Sequence, residues 1–153
     1  MPVRSRMRDP AAVLPAAAGL LAGLDEAARA AGVAPLTVEL VRLRVSQING
    51  SGACVEAAAR AARVAGASEE ALATVAVWRQ SRAFDGAERA ALALAEAATR
   101  LADRPDAVTD DTWDAAATHF DEWRLAGLLL TVGVTNLRNR LNAATRQGAG
   151  AAR

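Results

Sequence analysis

The sequence predicts an all-α fold, a single-domain bundle of about seven helices, and three observations carry that reading. Alanine, the residue of highest helix propensity, fills 41 of the 153 positions, while β-branched and aromatic strand formers are sparse. Helix breakers recur at intervals of about one helix. With 52% hydrophobic and 23% charged residues, a chain of this length can bury one compact core.

The elements follow from their punctuation. A first helix is expected from Val13 or Pro15 to Ala31, stopped by Gly32, which can take positive φ at little cost. A second starts at Pro35, well suited to a first turn, and ends by Ile48 ahead of the Asn49-Gly50 turn. The third runs from Gly52 to Ala65 and closes at Gly66. Ser68 caps the fourth, whose first turn carries Glu69 and Glu70 against the helix dipole. Asp85 and Glu88 form a capping-box pair for the fifth, which ends near Asp103 before Pro105. Thr109 caps the sixth, to His119 or Phe120, and Asp121 caps a long seventh from Glu122 to Thr145. Residues 1–12 read as a flexible arm, 13–147 as the helical domain, and 148–153 as a flexible tail.

Composition closes several function classes. Eighteen arginines with no lysine, set against 17 acidic residues, leave a net charge of +1, too little to neutralise a phosphate backbone, so no nucleic-acid partner is expected. The single cysteine excludes any intramolecular disulfide. No apolar run reaches membrane-spanning length, so no membrane partner is expected and the reading is a cytoplasmic protein. Arg4, Arg6 and Arg8 before the apolar stretch 11–24 imitate a leader, but Pro15, Gly19 and Gly23 interrupt that stretch, and Asp25 and Glu26 continue it as an amphipathic helix.

The informative segment is ELVRLRVSQINGSGACVEAA, from Glu39 to Ala58. On the second helix Leu36, Leu40 and Leu43 form one apolar strip, and Val38, Val41, Val45 and Ile48 cover much of the other side, so the helix should be mostly buried. Glu39 beside the leucine strip is either a desolvated carboxylate or the partner of Arg42. Cys54 falls in the first turn of the third helix, where free backbone N–H groups favour negative charge on sulfur if it faces solvent; if buried, it is a small hydrophobe.

These residues carry a resemblance. The run SQING, the second half of a C-x-x-C at a helix start and an upstream glutamate are similar to the alkylhydroperoxidase D and carboxymuconolactone decarboxylase family. WRQSRAFDGAERAALALAEAATRL, from Trp78 to Leu101, resembles that family's tryptophan-phenylalanine-acid helix junction, and TNLRNRLNAATR, from Thr135 to Arg146, its closing helix. The resemblance implies an alkylhydroperoxidase D-like bundle and a glutamate, C-x-x-C and histidine machinery. There one thiolate attacks peroxide, the second thiol resolves the sulfenic acid, and histidine with glutamate relays the proton.

Laid onto this chain, the glutamate position is Glu39 and the second cysteine is Cys54. Ser51 stands at the first cysteine and Ala58 at the histidine. The two-thiol cycle cannot run within the chain, although Ser51 could cap the helix or donate to the Cys54 sulfur. The resemblance then implies thiol-dependent peroxide reduction that is weak, dependent on Cys54 alone, or absent; the alternative is a non-catalytic oligomer that binds a small molecule in the former active-site pocket. It calls for no cofactor and no metal. The implied partners are copies of the same chain, as trimer or hexamer, and an external thiol reductant or small-molecule ligand. His119 reads as a surface histidine, Arg138 and Arg140 as offsets to the last helix's dipole, and Trp78, Trp113, Trp123, Phe84 and Phe120 as core or interface anchors.

Overall fold

The computed structural model describes residues 4–148. It is all-helical, with eight α-helices and no strand among the described residues. They are α1 (Pro10–Val13), α2 (Ala17–Ala30), α3 (Pro35–Asn49), α4 (Gly52–Val64), α5 (Glu69–Thr74), α6 (Gly86–Thr99), α7 (Asp110–His119) and α8 (Glu122–Thr145). Short 3-10 stretches follow α5 (Val75–Gln80) and α6 (Arg100–Ala102).

The expected caps form. Ser68, Thr109 and Asp121 each accept from the backbone N–H three residues on, and Asp85 with Glu88 closes a reciprocal capping box. Three elements show detail beyond or different from the sequence reading, which set no end for the fourth helix. The expected first helix begins at Ala17, as α2, and the expected arm instead contains a short helix, α1, opened by Asp9, which accepts from the Ala11 amide, and ended ahead of Pro15, which cannot donate the N–H that would continue it. The fourth helix stays α-helical only to Thr74 and then tightens into 3-10 turns, broken at Val77 (φ −122°, ψ 32°). The fifth stops being α-helical at Thr99 and reaches Ala102 as a 3-10 turn.

Helix α3 is the axis of the bundle, and its two apolar strips serve two cores. Val38, Val41 and Val45 pack with Leu94, Phe120, Leu125, Leu128 and Val132 from α6, α8 and the α7–α8 junction. Leu40 and Leu43, on the other side, pack with Ala58, Val75, Trp78, Phe84 and Leu92. Burial on both faces is what a helix apolar nearly all round requires. Trp78, Phe84 and Phe120 are therefore core anchors, whereas Trp113 and Trp123 are exposed.

Helices α2 and α8 cross at Gly127, where a Cβ would lie 2.4 Å from Ala31 Cβ and 3.1 Å from the Ala28 carbonyl oxygen. Gly127→Ala should therefore force the helices apart and destabilise the fold by about 1–3 kcal/mol, read from urea midpoints, although alanine is the better helix former. Unchanged stability would show that the crossing is not close-packed.

Residues 4–9, read in sequence as part of an arm, run along the end of α8. The Arg6 amide donates to the Thr145 carbonyl at 2.8 Å, its guanidinium to Ala144 O at 3.0 Å, and Gln147 Nε2 to Met7 O at 2.9 Å. The expected tail at 148–153 lies outside the described residues except for Gly148. No helix among the described residues is long and apolar enough to cross a membrane.

Candidate functional site

The site forms where α3 hands over to α4. Gly50 takes φ 68°, a left-handed conformation that glycine adopts without a Cβ clash, and its amide and that of Ser51 bond back to the Gln47 and Ser46 carbonyls. This tight reversal puts the first turn of α4 beside the last turn of α3.

The SQING run fixes the handover against α8. Asn49 Nδ2 donates to the side-chain oxygens of Asn136 and Asn139, both at 2.9 Å, and Asn139 Nδ2 donates to Ser46 Oγ at 3.1 Å. Asn136 continues to Thr99 Oγ1 at 3.2 Å. Asn139 is fully buried, and a buried amide network is tolerated only when its groups are satisfied by such bonds. The motif thus has a structural task, namely to lock the end of α3 onto α8.

Cys54 is half-buried, and its sulfur accepts a hydrogen bond from Asn142 Nδ2 at 3.0 Å. It lines a cavity of about 420 Å³ with Glu39, Arg42, Ala58, Arg138 and Asn142. Small apolar side chains, among them Ala53, Ala57, Ala61 and Leu141, form much of the remaining wall, and Asp9 and Ala11 of the N-terminal segment complete it.

Of the two sequence readings of Glu39, the structure shows the pairing with Arg42. Its carboxylate faces the cavity and accepts from Arg42 at 3.5 Å, and Arg42 also approaches Asp25 at 3.5 Å. Asp25 in turn accepts from Arg138 at 2.5 Å. Four charges of alternating sign thus tie α2, α3 and α8 together along the cavity wall. Arg138 is engaged in this network through its ion pair with Asp25.

Ser51 Oγ is buried and has no hydrogen-bond partner, so it neither caps α4 nor donates to Cys54. Ala58 lies buried between the cavity and the leucine-side core. His119 is exposed at the end of α7, against Gly86, and does not line the cavity. Structure therefore brings Glu39, Cys54 and Ala58 to one cavity and leaves His119 outside it. Sequence reasoning missed Asn142 and Asp25. The three-residue spacing of Asn136, Asn139 and Asn142, which puts amides along one side of α8, was the available signal. Among the described residues no group of three or more His, Cys, Asp or Glu is placed to hold a metal.

Comparison with known proteins places the chain in a family. The carboxymuconolactone decarboxylase family model matches residues 15–97, more than half of the chain. The chain belongs to this family. Among curated proteins it is 26% identical over 132 residues to the uncharacterized protein YdfG of Bacillus subtilis (strain 168), covering 86% of this chain and 88% of that one. It is 38% identical over 111 residues to the uncharacterized protein YnjA of Escherichia coli (strain K12), covering 72% of this chain but 59% of YnjA. Among solved structures, one from Agrobacterium tumefaciens superposes with a TM-score of 0.87 at 27% identity, covering 95% of this chain and 98% of its own. That protein is of unknown function and has been proposed as an antioxidant defence protein, AhpD. The debrominase Bmp8 shares the fold with a TM-score of 0.77 at 20% identity, over 88% of this chain and 72% of its own. The bundle expected from the alkylhydroperoxidase D resemblance is thus the fold this family member adopts.

Proposed function

We propose that this family member is a one-cysteine, thiol-dependent peroxidase in which Cys54 is the nucleophile and an external thiol takes the place of the missing resolving cysteine. The supporting observation is the Asn142 Nδ2 hydrogen bond to Cys54 Sγ at 3.0 Å on the wall of a cavity large enough for an organic peroxide. A sulfur that accepts from an amide N–H at a helix N-terminus gains stabilisation as its negative charge develops.

The Cys54 thiolate attacks one peroxide oxygen, the O–O bond breaks, and the departing oxygen takes a proton, leaving a sulfenic acid on Cys54. One external thiol condenses with the sulfenic acid, releases water and forms a mixed disulfide; a second attacks that disulfide and frees Cys54. One peroxide and two thiols give one alcohol, one water and one disulfide. Glu39 faces the same cavity and is the proton acceptor nominated by position.

The alternative, a non-catalytic small-molecule-binding protein, is favoured by Ala58, which leaves the cavity without the base that the family's cycle uses. One assay separates the two. Peroxide consumption with dithiothreitol in excess should require Cys54, with Cys54→Ala falling to the uncatalysed background. Equal rates for both proteins would overturn the peroxidase and leave the binding reading. We also propose a homotrimer or homohexamer, supported by exposed Leu20, Leu24, Trp123 and Leu137; a monomer by light scattering would overturn it.

A further inference from the structure

A second cavity of about 450 Å³ shares no lining residue with the first. Arg42 faces the first and Arg44 the second, and two residues are about 200° of turn on α3, so the cavities lie on opposite sides of that helix. Arg44, Arg79, Arg100 and Arg104 converge on the second from three parts of the chain, with Glu96 as its one carboxylate and Thr112 as its hydroxyl. Its only apolar lining is alanine, so there is little surface for an aromatic or alkyl ligand.

Glu96 does not cancel the guanidinium groups; it organises them. Its Oε1 accepts from Arg44 Nε at 2.8 Å and Trp78 Nε1 at 2.9 Å, and its Oε2 from an Arg79 terminal nitrogen at 2.6 Å. Arg44 thereby keeps both terminal nitrogens for another acceptor, in a side chain whose position is already fixed. Arg79 is fixed a second time by stacking on the Trp78 ring at 4.2 Å. Arg104 makes no ion pair among the described residues, and Arg100 is held only by Asp103, in an exposed pair that an entering anion could displace.

We propose that this cleft binds a small polyanion, a ligand carrying two or more oxyanion groups on a compact body, with Arg44 and Arg79 as the preorganised half of the site and Arg100 and Arg104 as the mobile half. Guanidinium forks match phosphate and carboxylate oxygens bidentately, and prior fixing of two of them lowers the ordering cost of binding. The inference stands independently of the Cys54 reading.

Titration calorimetry of the full chain at low ionic strength, with pyrophosphate and with citrate as probes, tests it. Saturable binding of either is expected, and the preferred probe separates a phosphorylated ligand from a polycarboxylate. Arg100 and Arg104 are exposed, so Arg100→Ala with Arg104→Ala should fold normally and bind at least about tenfold more weakly. Cys54→Ala should bind as the wild type does. No binding of either probe, undiminished binding by the double variant, or loss of binding in Cys54→Ala would each overturn the proposal.

Discussion

Glu96→Ala is expected to destabilise the fold by about 1–3 kcal/mol in denaturant unfolding, the range for leaving partly buried hydrogen-bond donors without their acceptor. The Glu96 side chain is 14% exposed and Arg44 19%, so the alanine variant leaves Arg44 Nε without its acceptor and the guanidinium without its anchor. It also strands the Trp78 indole N–H in the leucine-side core. Three elements loosen together, because the carboxylate joins α6 to α3 and to the 3-10 turn after α5. Glu96→Gln should cost less, since an amide oxygen can still accept from one or two of the donors.

The same carboxylate sets a pH dependence. Burial raises its pKa, but the hydrogen bonds from Arg44, Arg79 and Trp78 outweigh that effect and bring it below the ordinary glutamate range. A depressed folded value means the unfolded chain binds the proton first as pH falls. The stabilisation is therefore complete above the ordinary value of about 4.3 and is lost as pH drops through the folded value. The gap in unfolding free energy between wild type and Glu96→Gln should be flat near neutrality and close in acid. A gap that widened in acid would show that the donors are not holding the charged form.

Legibility from sequence tracked how local each cause was. Caps at Ser68, Asp85, Thr109 and Asp121 act within one turn, so residue type and spacing were sufficient to place them. The two apolar strips on α3 were likewise visible, although nothing in their spacing said that they feed two different cores. The pairing of Asp25 with Arg138 was out of reach, because it joins residues 113 positions apart and depends on how α2 crosses α8. Asn142 was hidden for the same reason: its amide meets Cys54 across 88 residues. At the site, the family resemblance nominated positions 39, 51, 54 and 58, and the fold brings 39, 54 and 58 to one cavity, while the sulfur's hydrogen-bond donor came only with the fold.

Restoring the lost pair should have the largest effect on activity. Ser51 occupies a buried position where its hydroxyl finds no partner, a condition that costs about 1–3 kcal/mol for a polar group and that a weakly polar thiol largely escapes. Ser51→Cys should therefore be neutral or mildly stabilising in the reduced protein. On oxidation with peroxide it should consume both thiols as an intramolecular disulfide, because positions 51 and 54 flank the first turn of α4. Ala58→His is harder. Position 58 is 7% exposed and touches the leucine-side core, so the ring must project into the cavity, and overpacking should cost about 1–3 kcal/mol. If the ring finds that space, general-base assistance adds roughly 10²–10⁴-fold to peroxide turnover over Ser51→Cys alone. Cys54→Ala placed in the restored background must abolish the gain, since Cys54 is the sulfur both additions serve. A double variant that folds, forms no disulfide and turns over no faster than wild type would mean that 51 and 58 are not the positions of the absent thiol and base.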